Sequence, residues 1–334
     1  MVAEQYRLVW AHERDFRVRL AKEWNGGSCE FEPTISVKLL MISQNIEANA
    51  ILYYTLNQGL ELSSILNDDS VTSSWSSHAA TIKVSANKLL WDASAGLYKD
   101  NEDSTLHPQD GNAWAIKANM TLDSSQTSVI TASLQSRWGP YGAPAPEAGD
   151  TVSPFISGFE LESHFLADNA TTALDLMRLE WGFMLDDPRM TNSTFIEGYE
   201  TSGSLHYAPY KNDARVSHAH GWSTAPTSLL SFFVAGIHLT SAEGKTWHLA
   251  PQVGDLSTVE AGFSNRLGLF KSSVKASNGV VTEFAFSTPE GTSGDVSLPG
   301  VCGTLVNDAE KGVKLENGEA SGLTGGNWKL NLDC

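Results

Sequence analysis

The apolar residues of this chain change period once, near Ile237, and that switch constrains the fold more than any other feature. Before it, apolar residues recur at helical spacing in one segment after another. Leu52, Leu56 and Leu60 lie four residues apart, and Trp75, Ile82, Ala86, Leu89 and Leu90 share one face of a second helix. LWDASAGLYKDN then reads as a turn at Gly96 followed by a short extended piece. His107–Asn119 and Ser124–Trp138 form the next helical pair, the second stopping at Gly139-Pro140. Ser157–Ala167 and Ala170–Met184 form another, with Leu174, Met177, Trp181 and Met184 on one face. A last helix is predicted from Ser223 or Thr224, with Pro226 tolerated in its first turn and Leu229, Leu230, Phe233 and Ile237 as its core face.

Beyond Ile237 the signals are those of strands and hairpins. Asn278-Gly279 is the strongest short-range hairpin signal, with Val274 before it and Val281, Phe284 and Phe286 after it. Asn317-Gly318 repeats the device between Val313–Leu315 and a predicted strand at Trp328–Leu332. The expected layout is therefore an α part with an appended β part. Residues 1–43 have no clear pattern beyond a helical opening around Tyr6–Trp24; residues 44–237 are helical hairpins, and residues 238–334 are all-β. Successive helix pairs joined by polar loops are the pattern of an α/α toroid. About seven helices are legible, too few for a ring of six hairpins, so a partial toroid is expected.

Composition narrows the function classes. At 334 residues, 41% hydrophobic and 18% charged, the chain can bury a sizeable core. Its net charge of −17 argues against nucleic acid and against anionic membrane surfaces. No apolar run is long enough for a membrane span. The first residues lack a signal-peptide pattern, whereas Asn119, Asn169 and Asn192 begin glycosylation triplets, so the compartment stays open. Three cysteines, Cys29, Cys302 and Cys334, are too few and scattered for a disulfide framework or a zinc site; Cys302 and Cys334 can pair or stay free.

Chemistry concentrates in Met190–Trp222, MTNSTFIEGYETSGSLHYAPYKNDARVSHAHGW. This Gly-rich run without period holds Glu197, Glu200, His206, His218, His220, three tyrosines and Trp222 between helical segments, the ingredients of a polar-ligand site. Glu197, after Phe195-Ile196 and before Gly198, suits a base aimed at water, or a surface carboxylate at a turn. His218 and His220 could ligate a metal with His206 or a carboxylate, but no accompanying Cys or HExxH supports it. Ser217 beside His218, with no GxSxG elbow, is a poor serine nucleophile. Trp181, Trp222 and Tyr199 offer faces for a sugar ring, Trp181 being better placed for core packing. In HPQDGNAW, residues 107–114, Asp110 and Asn112 serve structure or ligand equally well.

Several long motifs, in order, resemble the helical catalytic domain of the α-L-rhamnosidases, the six-hairpin glycosidases, especially fungal members. They are LWDASAGLYKDN, STLHPQDGNAWA, WGPYGAPAPEAGDTVSPFISGFELESHFL, STFIEGYETSGSLHYAPY, SHAHGWSTAPTSLLSFFVAGI and GKTWHLAPQVGDLSTVEAGFS, covering roughly Asn45 to the end. The resemblance implies an (α/α)6 barrel followed by a C-terminal β-sandwich, and inverting hydrolysis of terminal α-L-rhamnosides. It implies Glu197 as the general base, His218 as a residue touching the rhamnose, rhamnose-containing glycosides as partners, and neither cofactor nor metal. The family's acid motif, with Asp, Arg and Trp near the start of the barrel, has no counterpart here. Glu13-Arg14-Asp15, Arg17 and Glu23-Trp24 do not match its surroundings. The chain is therefore expected to be a truncated or mis-joined version of a longer enzyme, without turnover above background. A non-catalytic carbohydrate-binding remnant and an unstable fragment are the alternatives.

Overall fold

A computed structural model describes residues 45–333. The segment 1–43, with Glu13, Arg14, Asp15, Arg17, Glu23 and Trp24, lies outside the described residues, as do Cys29 and Cys334. Cys302 is disulfide-bonded.

The helical part opens with α1 (Ile46–Leu66) and α2 (Thr72–Leu89). Asn45 starts α1, its side chain accepting from the Ala48 amide at 2.9 Å. Asn67, at φ 54°, ends it in the left-handed conformation. A small hairpin, β1 (Trp91–Asp92) and β2 (Leu97–Tyr98), leads to α3 (Gln109–Lys117) and α4 (Ser124–Gln135), the latter capped by Asp123. After β3 (Thr151–Val152), Pro154 takes the first position of α5 (Pro154–Leu166). Asn169 caps α6 (Ala170–Leu176), which runs through a π-helical turn, Met177–Trp181, into α7 (Gly182–Asp186). Beyond β4 (Tyr199–Glu200), which pairs with β3, α8 (Ala225–Leu229) continues as a second π turn, Leu230–Val234.

Alternate helices pack side by side: α1 on α3, α3 on α5, α5 on α8. Intervening helices pack behind, α2 on α1 and α6 on α5. The leucine repeat of α1 is not its covered face. Ile46, Asn49, Ala50 and Ser63 are buried there, whereas Leu52 is exposed and Leu56 and Leu60 are half-buried. The last helical pattern also ends early: Ile237 belongs to a strand, because Gly236, at φ 71°, turns the backbone out of the helix.

The β part is one mixed eight-stranded sheet: β5 (Ile237–Leu239), β6 (Thr246–Leu249), β7 (Thr258–Asn265), β8 (Gly268–Ser277), β9 (Val280–Ser297), β10 (Thr304–Asn307), β11 (Gly312–Lys314) and β12 (Glu319–Asn331). The β8–β9 hairpin closes on Asn278-Gly279, both at positive φ (52° and 77°), as a two-residue turn of the primed type requires. Asn317-Gly318 also makes a tight turn, with Glu316 bridged to Glu319. However, it does not join hydrogen-bonded strands: β11 pairs with β10, and β12 pairs with β10 and β9. The long β9 changes partner along one edge, from β8 near Ser287 to parallel β6 near Ser293, and its register against β12 shifts between Thr288 and Ser293.

One buried cluster lies among α1–α4, around Ile46, Ile82, Tyr98 and Ile130. A second runs without a break from α5–α8 (Phe165, Leu174, Trp181) into the sheet (Trp247, Phe270, Trp328). Glu160, buried on α5, accepts from Trp138 Nε1 at 2.6 Å and Gln109 Nε2 at 2.7 Å, tying α3 and the loop after α4 to α5. Among the described residues no helix is long and apolar enough to cross a membrane.

Candidate functional site

The stretch between α7 and α8 is almost all irregular, so its backbone amides and carbonyls are free to bond across the loop. Two of its strands of chain, Thr194–Glu197 and Ser217–Ser223, run beside each other. The Glu197 amide donates to Ser217 O at 2.8 Å and the His220 amide to Phe195 O at 2.9 Å. Ser223 Oγ donates to Ile196 O at 2.8 Å, and Trp181 Nε1, from the helix beneath, donates to Ser223 O at 2.7 Å. Trp181 is therefore a buried brace, as its place on an apolar helical face predicts. Tyr199 is buried too, its hydroxyl donating to Tyr141 O at 2.6 Å, and has no face to offer a sugar.

Glu197 lies at the centre, 3% exposed. Its Oε1 accepts from the Tyr210 hydroxyl at 2.6 Å, and its Oε2 from the Ser217 amide at 3.2 Å. His220 Nδ1 stands 3.7 Å from Oε2. The hydrogen bond to Glu197 raises the Tyr210 pKa, and burial first of all raises that of Tyr207. Gly198 admits the Tyr207 ring where any Cβ would collide with it. Trp222 Nε1 approaches Glu197 O at 3.4 Å, and the exposed Trp222 ring stacks on Phe155 of α5, centroids 5.0 Å apart at 25°. His220 lies against the same indole at 4.3 Å. This is a carboxylate held by donors beside an open aromatic wall, an arrangement that can take a proton from water next to an apolar ring face.

His218 is half-buried; its backbone carbonyl accepts from Thr194 Oγ1 at 2.5 Å, and its imidazole has no partner among the described residues. His206 points elsewhere: its Nδ1 meets Asp213 Oδ1 at 2.5 Å, which raises its pKa. The histidines thus diverge, and among the described residues no group of three or more His, Cys, Asp or Glu is arranged to hold a metal ion. Glu200 bonds locally to Ser202 Oγ. Asn112 is structural, its buried amide satisfied by Tyr98 N, Tyr98 O and Pro108 O. Asp110 sits with Glu147, which accepts the first two amides of α3; burial, then Glu147 and Glu47, push Asp110 up to about 7. Tyr210, the Ser217 amide and Phe155 carry no sequence signal of their role, because irregular chain sets the contacts.

No family model and no curated protein sequence matches the chain. Solved structures do. It superposes on a GH78 family rhamnosidase of Bacillus sp. GL1 with a TM-score of 0.60 at 23% identity, covering 77% of this chain and 26% of that one. The α-L-rhamnosidase of Streptomyces avermitilis, solved in complex with L-rhamnose, matches with a TM-score of 0.63 at 15% identity over 85% of this chain and 26% of its own. The native α-L-rhamnosidase of Aspergillus terreus matches with 0.58 at 16%, over 84% and 30%. The chain thus spans under a third of these proteins' length, and over that span it has the rhamnosidase fold.

Proposed function

We propose that this chain carries the sugar-binding and base side of an inverting α-L-rhamnoside hydrolase. The supporting observation is the Glu197 carboxylate, nearly closed from solvent yet held by Tyr210 and Ser217, with His220 Nδ1 3.7 Å away and the Trp222 wall beside it. It lies on a chain folded like the rhamnosidases, one of them solved with rhamnose bound. In this reading α1, α3, α5 and α8 are inner helices of a partial (α/α)6 toroid, and the sheet, whose β9 changes partner midway, is the C-terminal β-sandwich.

Glu197 would remove a proton from a water molecule as that water attacks the anomeric carbon on the face opposite the departing oxygen. Inversion further requires an acid roughly 6.5–9.5 Å away to protonate that oxygen. None of the described residues is assigned to that role in this reading, and turnover of ordinary α-L-rhamnosides is expected at background.

α-L-Rhamnosyl fluoride separates base from acid, because fluoride leaves without being protonated. The chain should hydrolyse it with β-L-rhamnose as the first product by NMR, and Glu197→Gln should lower the rate by at least about a hundredfold. Undiminished hydrolysis by Glu197→Gln rules out Glu197 as base. The exposed Trp222 face stacked on Phe155 also suits a second reading, a carbohydrate-binding remnant; rhamnose binding without fluoride release would select it.

A further inference from the structure

The segment Thr201–Val216 forms a strap over Glu197, fastened along its length. At its start the Glu200 amide bonds to Ser204 O at 2.9 Å, and Gly203, at φ 81°, fits against the Tyr141 ring. Tyr207, buried, wedges onto Gly198 and meets Tyr210 edge-to-face with centroids 5.4 Å apart. The Tyr210 amide donates to Tyr207 O at 2.8 Å, so the two rings are fixed relative to each other. The His206–Asp213 pair clasps the strap across its width, and buried Val216 returns it to the core. Every fastening converges on presenting one polar group, the Tyr210 hydroxyl, to Glu197 Oε1.

We propose that Tyr210 is a positioning residue for Glu197. Its hydroxyl pins Oε1, so that Oε2 is the oxygen turned toward the attacking water, and it favours the ionised carboxylate. The terminal torsion of a glutamate is soft, and a single donor leaves the carboxylate free to rotate. Tyr210 on Oε1 and the Ser217 amide on Oε2 together fix its plane. A donor to the charged form also holds a base in the state that can accept a proton. The same bond raises the Tyr210 pKa, which favours the protonated, donating hydroxyl. The other titratable or charged groups facing this pair are Tyr207 and Arg215 from the strap and His220 from the turn before α8. This inference rests on Glu197 being the base.

The test uses the full chain labelled with [δ-13C]glutamate, the Glu197 signal being assigned by its disappearance in Glu197→Gln. In Tyr210→Phe the midpoint of that signal's pH titration should move up by about one unit. The acid limb of rhamnosyl fluoride hydrolysis should move with it, kcat falling about tenfold and KM holding. Asp213→Ala, which opens the clasp and leaves the hydroxyl, should give a smaller shift in the same direction. An unmoved titration midpoint in Tyr210→Phe overturns the proposal. Turnover retained in Glu197→Gln would instead remove the base assignment beneath it.

Discussion

Glu197 and Glu180 are both closed off from solvent in the same half of the molecule, and they differ in what replaces water. Glu180 lies on the π turn between α6 and α7, fully buried; its Oε2 accepts from the Ala143 amide at 3.2 Å, and the Ser157 side chain also bonds to the carboxyl. Its Oε1 has no partner among the described residues. Gly142, at φ 143°, is what lets that loop come so close, since a Cβ there would sit 2.8 Å from Oε2. Burial pushes the Glu180 pKa up to about 8. Glu197 instead has a donor on each oxygen and an imidazole beyond. The difference comes from the backbone. Helical amides are consumed within the helix, whereas an irregular stretch such as Ser217–His220 has amides to lend. Burial drives Glu180 toward neutrality, whereas the irregular chain around Glu197 brings a donor to each of its oxygens.

The widest separation between the two should appear on substitution by glutamine. Glu197→Gln is expected to lower rhamnosyl fluoride hydrolysis by about 10²–10⁴-fold with little change in the unfolding midpoint. Glu180→Gln should leave that rate within about threefold, because no part of the proposed chemistry passes through it. If Glu180→Gln abolished turnover while leaving the fold intact, the contrast between a chemical and a structural carboxyl would fail.

Stability should show the reverse. Glu180 binds its proton more tightly folded than unfolded, where its ordinary value is 4.5. Between that pH and about 8 the folded chain holds a proton that the unfolded chain has lost. Its contribution is therefore complete at low pH and is lost as the pH rises, by up to about 1.4 kcal/mol per pH unit. Glu180→Gln, neutral at every pH, should flatten that slope and unfold at higher urea than the parent at pH 8. Equal slopes in parent and variant, measured by urea titration at pH 5 and pH 8, would mean that Glu180 carries no proton.

What the sequence disclosed follows the same division between local and distant causes. Asn278-Gly279 was readable because the turn itself demands positive φ at both positions. Asn317-Gly318 was equally readable as a turn, but which strand lies beside β11 is decided by pairing far along the chain. The π turn at Leu230–Val234 and the bend at Gly236 removed Ile237 from a helical face whose spacing had no flaw. Glu197 stood out through its neighbours in sequence. Tyr210, thirteen residues away across a strap without period, did not, because its role comes from the strap's fastenings at Tyr207, Asp213 and Val216.

The smallest effect, and the one that probes the site's ligand rather than its chemistry, concerns His218. Its half-buried imidazole has no hydrogen-bonding partner among the described residues, so truncation removes no hydrogen bond of the fold. His218→Ala should therefore leave thermal stability within about 0.5 kcal/mol. If the ring serves the sugar, one hydrogen bond to a rhamnose hydroxyl is lost, about 1 kcal/mol, and affinity for L-rhamnose falls about fivefold to tenfold. Titration calorimetry on parent and variant reads both the affinity and, in Glu197→Gln, whether binding survives when the base is removed. A drop in stability with unchanged affinity would place His218 among the braces of the loop, with Trp181 and Ser223, and would leave the Trp222 wall as the feature that meets the sugar.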